Sequence, residues 1–107
     1  MNDRYESREP RRDEVEGLPG ATLLEFGSPS CGHCRAAQPH IATALEGHDG
    51  LRHLKIADGS GRPLGRSFRV KLWPTLVLLR DGQEVARVVR PQGADEIRAA
   101  LGRTPPA

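Results

Sequence analysis

Residues 22–34 read Thr22-Leu23-Leu24-Glu25-Phe26-Gly27-Ser28-Pro29-Ser30-Cys31-Gly32-His33-Cys34, and this order decides the fold. The run Thr22 to Phe26 is short, mostly apolar and bounded by Gly20 and Gly27, which is the pattern of a buried strand. Ser28-Pro29-Ser30 supplies a turn. Beyond the cysteines, Arg35 to Leu45 has helical spacing, with Ile41, Ala44 and Leu45 as its apolar positions and Pro39 as an expected kink. Cys31 and Cys34 therefore lie where a strand gives way to a helix. Unpaired backbone N–H groups and the dipole at a helix N-terminus favour a thiolate. Cys31 reads as an exposed nucleophile, and Cys34, about one turn on, as the more buried thiol that resolves a mixed disulfide. Gly32 and His33 fill the loop between them. A positive charge on His33 would stabilise the Cys31 thiolate and make the pair more oxidising, at roughly 30 mV per tenfold change in equilibrium.

Spacing alone leaves two other readings open. The cysteines could be inert thiols, or half of a tetrahedral metal site completed by His33, His40 or a second chain. His33 lies inside the loop and is poorly placed to close on the same ion, so no metal ligand is assigned. His40, His48 and His53 read as surface or helix-face histidines and receive no role.

Outward from this stretch, the chain punctuates itself clearly. Arg11 to Glu16 fits a short helix, with Pro10 at its start and Gly17 past its end. Residues 1–20 as a whole read as a weakly ordered or short helical lead-in, 21–103 as the folded domain and 104–107 as a tail. Leu51 to Ala57 fits a second strand and Pro63 to Phe68 a short helix. Thr75 to Leu79 is the strongest strand, and Asp81-Gly82 makes a hairpin turn into Glu84 to Val89. A last helix spans about Ala94 to Leu101, ended by Gly102. Period assigns Leu24, Phe26, Leu54, Ile56, Leu76, Leu78 and Ile97 to the core. The order of elements predicts an α/β domain with a central mixed sheet and helices on both faces.

At 107 residues the chain is one domain. Its 16 Lys+Arg against 14 Asp+Glu alternate in sign, so no nucleic-acid face is expected. No run approaches the roughly 18–20 apolar residues of a membrane span. No secretory signal core of about 7–15 apolar residues follows Met1, which predicts a cytoplasmic protein. Two cysteines in a reducing compartment read as catalytic or metal-binding rather than as a staple.

The stretch Glu25-Phe26 to Pro29, Cys31-Gly32-His33-Cys34-Arg35-Ala36 and Pro39 closely resembles the active site of a thioredoxin-fold domain of the protein disulfide isomerase type. Val70-Lys71-Leu72-Trp73-Pro74-Thr75, then an apolar strand and Asp81-Gly82, resembles the same family's cis-proline segment and closing hairpin. The resemblance runs from about Ala21 to Gly102. It implies a thioredoxin-like three-layer sandwich with a mixed sheet of about four to five strands. It further implies a cis bond at Pro74, with the preceding backbone pairing with bound substrate as an added strand. Glu25 matches the family's buried acid, placed to exchange a proton with Cys34, and Lys55 is its expected charge partner.

Three departures stand out. Ser30 replaces the usual tryptophan, Gly27 stands where an aromatic is common, and Arg90 falls near a groove-forming glycine. The docking surface is thus expected to be less aromatic and more cationic than the family's, with Trp73 supplying the aromatic surface that Ser30 lacks and Arg90 the charge. The family's first strand is not evident in residues 1–9. The implied function is thiol–disulfide exchange with protein substrates by a monomer. It needs no cofactor beyond the cysteine pair and draws electrons from a reductase or glutathione. The alternative is a non-catalytic binding or assembly module using the same groove.

Overall fold

The structure is a computed structural model that describes residues 4–102. The expected tail at 104–107 lies outside the described residues. The elements run α1 (Arg12–Glu16), β1 (Ala21–Gly27), α2 (Gly32–Leu45), β2 (Arg52–Ala57), α3 (Pro63–Ser67), β3 (Thr75–Arg80), β4 (Gln83–Val89) and α4 (Ala94–Leu101). They form one sheet in the order β2-β1-β3-β4. β1 pairs with β2 in parallel, setting Glu25 opposite Lys55, and antiparallel with β3, setting Glu25 opposite Leu76. β3 and β4 form a two-residue hairpin whose turn residues, Asp81 and Gly82, both have positive φ, 51° and 84°. That geometry matches the right-handed twist of the paired strands and explains the Asp-Gly choice.

Alternation along β1 divides the core in two. Leu23 joins Ala37, Ile41 and Ala44 of α2 and Ile97 and Leu101 of α4. Leu24 and Phe26 point the other way, toward Val15 of α1, Leu64 of α3 and Phe68. Because helices cover both faces, nearly every residue of β1 and β3 is buried, as expected for a sheet enclosed on two sides. Glu25 lies on the α2 face, the one acid in this strand.

Two expectations need correction. Leu54 is only partly buried, since it lies on β2, the outermost strand of the sheet, where the core thins. Residues 4–20 are also more than a lead-in. Val15 is 0% exposed within the core, and the Arg12 guanidinium sits 3.8 Å over the Phe68 ring while donating to the Ser67 carbonyl at 2.7 Å. Tyr5 forms a single parallel bridge with Lys55 of β2, and the Glu6 N–H donates to the Lys55 carbonyl at 2.8 Å. The missing first strand is thus represented by one bridge beside a four-stranded sheet. No helix among the described residues is long and apolar enough to cross a membrane.

Since Val15 fills a closed core position, Val15→Ala should lower stability by about 2 kcal/mol through lost burial and the cavity left behind. The expected signature is a lower denaturant midpoint at unchanged slope. A change within a few tenths of a kcal/mol would mean the N-terminal segment is not part of the folding unit.

Candidate active site

Cys31 is the N-cap of α2, and its sulfur accepts the Cys34 backbone N–H at 3.2 Å. This follows from helix geometry: the first N–H groups have no partner within the helix, and here a thiol meets them. The Cys31 side chain is half-buried and that of Cys34 buried, and both are free thiols. Burial alone would raise the Cys31 pKa, yet it lies below the usual thiol value. The Cys34 thiol and backbone N–H and the His33 backbone N–H hydrogen-bond to its sulfur, and the Arg90 charge lies close. Cys34 is driven the opposite way, pushed up to about 12 by burial and by the hydrogen bond its thiol gives to Cys31. The negative charges of Cys31 and Glu25 add to this, against a lowering backbone contact from Ser28. Neighbouring sulfurs with opposed acidities have the chemistry to serve as a nucleophile and a proton-holding partner.

His33 reaches Cys31 through its backbone N–H, while its ring is exposed. The side chain on which the redox expectation rested thus projects toward solvent, and Gly32 beside it is likewise exposed. Across the site, the Trp73–Pro74 peptide is cis. The Trp73 indole N–H donates to Asp58 Oδ2 at 2.8 Å, pinning the half-buried ring. Arg90 braces this segment twice: its backbone N–H donates to the Pro74 carbonyl at 2.9 Å and its Nε to the Trp73 carbonyl at 2.8 Å. Its φ of 49° lies in the left-handed region that favours glycine. Leu72 and Val89, 48% and 45% exposed, give the surface around Pro74 an apolar character.

Beneath Cys34, Glu25 is fully buried and both its oxygens are occupied. Oε1 lies 2.8 Å from His53 Nε2, and Oε2 accepts from Gln38 Nε2 at 2.8 Å. Gln38 also donates to the Cys34 carbonyl at 2.9 Å. Lys55 donates to Gln38 Oε1 at 3.1 Å, with its Nζ 3.9 Å from Glu25 Oε2. The expected Glu25–Lys55 pairing is present, but Gln38 lies between the two. Tyr5 completes the enclosure: Lys55 Nζ lies 4.8 Å from its ring centre. The Tyr5 hydroxyl is held well above its usual pKa by burial and by the charges of Cys34, Glu25 and Cys31. Gly27 explains the departure noted in the sequence. A Cβ there would fall 2.6 Å from Cys34 Sγ and 3.3 Å from the Tyr5 hydroxyl. The aromatic ring that β1 lacks at 27 is supplied by residue 5.

Sequence reading missed four residues of this site: Tyr5, Gln38, His53 and Asp58. His53 contradicts its assignment as a surface histidine. Strand period carried the signal, since a residue two before an inward-facing Lys55 shares its face. Gln38 lies four residues after Cys34, on the same helix face. Tyr5 and Asp58 carried no local signal. Among the described residues, no group of three His, Cys, Asp or Glu side chains is arranged to hold a metal ion.

A family model described as thioredoxin matches residues 8–103. The chain is 34% identical over 84 residues to protein disulfide-isomerase A3 of Gallus gallus, covering 78% of this chain and 17% of that protein. It is 31% identical over 88 residues to an H-type thioredoxin of Populus jackii, covering 79% and 63% respectively. The chain therefore spans less than two thirds of the length of either. Among solved structures, thioredoxin 2 of Pseudomonas aeruginosa PAO1 in its reduced form shares 55% identity over 94% of both chains, with a TM-score of 0.84.

Alkylation should separate the two thiols. Cys31 should react with iodoacetamide at pH values below those an ordinary thiol needs, its rate falling tenfold per pH unit once below its pKa. Cys34 should label far more slowly than Cys31 across the neutral range, because burial and the hydrogen bond to Cys31 push its thiol up to about 12. Equal labelling of both at pH 7 would contradict the opposed acidities. Gly27→Ala should force Cys34 Sγ from its place, costing about 1–3 kcal/mol by overpacking and raising Cys34 labelling.

Proposed function

Because the chain belongs to the thioredoxin family, we propose that it is a thiol–disulfide oxidoreductase exchanging dithiol for disulfide with protein substrates. The observation that carries this reading is the pair of hydrogen-bonded sulfurs with opposed acidity at the start of α2. The Cys31 thiolate attacks a substrate disulfide, forming a Cys31–substrate bond and releasing the first substrate sulfur as a thiolate. Cys34 gives up its proton to Glu25 and attacks the Cys31 sulfur. The Cys31–Cys34 disulfide forms and the second substrate thiolate departs. Run backwards, the same steps deliver a disulfide. The cysteine pair is its own redox centre, so no nucleotide, flavin or metal takes part. Two electrons from a reductase or glutathione return the dithiol.

Substrate backbone lies along residues 72–74, with Trp73 and Pro74 as its platform, and Arg90 presents a positive charge to it. The Trp73 carbonyl is already engaged by Arg90 Nε, so an incoming strand displaces that side chain. Its guanidinium is then free to meet an acidic residue of the partner. Lys55 balances Glu25 beneath the site. Gly32 and His33 set the redox poise mainly through the backbone, the His33 N–H bonding to the Cys31 sulfur while its ring faces solvent.

Equilibration against defined glutathione ratios should give a reversible two-electron titration that Cys31→Ser abolishes. A midpoint near −180 mV, roughly that of disulfide isomerases, assigns oxidising work; one near −270 mV, roughly that of thioredoxin, assigns reduction. If no Cys31–Cys34 disulfide forms at any ratio while Cys31→Ser still binds its partners, the chain is a binding module instead.

A further inference from the structure

Charges nearly balance over the whole chain, but they are not evenly spread. Residues 59–71 hold Arg62, Arg66, Arg69 and Lys71 and no acid, which exceeds the formal net charge of +2 and leaves the remainder of the chain net negative. These four side chains line one open recess of about 520 Å3, together with Asp58. Arg62 is half-buried and pairs with Glu9 at 3.3 Å. Arg66, Arg69 and Lys71 are exposed, and none of the three forms an ion pair among the described residues. Arg66 suits the last turn of α3, but Arg69 and Lys71 lie beyond that helix, which does not account for them. Arg69 moreover has a φ of 58°, in the left-handed region that glycine adopts with least strain. Asp81, in the hairpin turn, and Arg90 are the other described non-glycine residues with positive φ. Trp73 links the two left-handed arginines: its carbonyl accepts from Arg90 Nε, and its indole N–H donates to Asp58 at the recess.

We propose that this recess docks an acidic segment of the protein partner, its Asp and Glu side chains meeting Arg66, Arg69 and Lys71 while adjoining residues lie along Trp73 and Pro74. This rests on the thiol–disulfide reading of the site and adds to it the class of partner preferred. Like charges gathered around one recess repel each other, and an anionic occupant relieves that repulsion. The planar forks of Arg66 and Arg69 match carboxylate geometry. In that reading residues 72–74 receive an extended polypeptide, and Lys71 directly precedes them, so one chain spans both places without a break. A nucleic-acid strand fits less well. It needs a charged groove that tracks its backbone and aromatic rings for stacking, whereas here the cations ring a local recess and the nearby indole is held to Asp58. Since Arg66, Arg69 and Lys71 are exposed, their effect falls on encounter rate and choice of partner more than on affinity.

Two peptides of equal length test this, each with a single cysteine activated as a neutral pyridyl disulfide. One carries Asp and Glu on either side of the cysteine, and the other carries Asn and Gln in their places. Cys31 attack on the peptide sulfur forms the Cys31–peptide bond and releases pyridinethione, whose absorbance gives the second-order rate. At low salt the acidic peptide should react about tenfold faster, and the advantage should vanish near 1 M salt, where charges are screened within about 3 Å. The double variant Arg66→Gln/Arg69→Gly removes two charges while glycine suits the left-handed backbone. It should keep its melting temperature and lose most of the advantage. Equal rates for the two peptides in the unsubstituted protein, or an undiminished advantage in the variant, would overturn the proposal. Should the double variant not fold, Lys71→Gln takes its place and is read in the same way. If neither peptide reacts, the oxidoreductase reading falls and docking is judged by binding. The emission of Trp73, the chain's one tryptophan, should then shift with a serine version of the acidic peptide and stay unchanged with the neutral one. A single-stranded oligonucleotide of equal charge that shifts this emission at lower concentration would refute a polypeptide occupant.

Discussion

A carboxyl group without access to water persists in a protein interior only if its oxygens are met by hydrogen-bond partners. In this chain Glu25 imposes that condition on its surroundings. Its position on the α2 face of β1 requires polar residues at facing positions, and β2 supplies His53 and Lys55 by register while α2 supplies Gln38. Gln38 in turn holds the Cys34 carbonyl, so α2 is pinned by polar contacts at the end that carries the sulfurs and by apolar packing of Ile41, Ala44 and Leu45 further on. Leaving any one of these groups buried and unpaired costs on the order of 1–3 kcal/mol, more if it is charged. That penalty fixes the helix relative to the strand and the thiols relative to the acid.

The acidities of the two cysteines are set by position in the same helix. Cys31 at the cap takes up backbone N–H groups that have no other use, whereas Cys34, one turn inside, faces a carboxyl and a tyrosine hydroxyl in a dry setting. Two side chains of identical chemistry thus acquire opposed acidities from a displacement of a single turn.

Elements with local signatures were legible in the sequence. The last helix, the Asp81-Gly82 hairpin, the buried run of β3 and the placement of Cys31 at a helix start follow from period, turn chemistry and capping. What escaped depended on contacts distant in sequence. His53 shares the period-two face of Lys55, but only the packing of α2 over that face encloses it, and that contact is distant in sequence. Tyr5 stands 50 positions from Lys55, and nothing near it signals the bridge. Gly27 was visible as an oddity, but its cause, the Cys34 sulfur lying against the backbone, is a matter of packing.

The bridge from Tyr5 and Glu6 to Lys55 also bears on self-association. A strand at the rim of a sheet offers unpaired amides and carbonyls to any other chain in extended form. β4 closes one rim with polar Gln83, Glu84 and Arg87 and with the irregular register at Leu78/Leu79, which breaks the regularity an intruding strand would need. β2 has no such irregularity in its pairing with β1; its outward groups are met midway by residues 5 and 6. The segment that lays an aromatic ring beside Cys34 is therefore also the guard on this rim, and loosening it would bare a thiol and a pairing edge together.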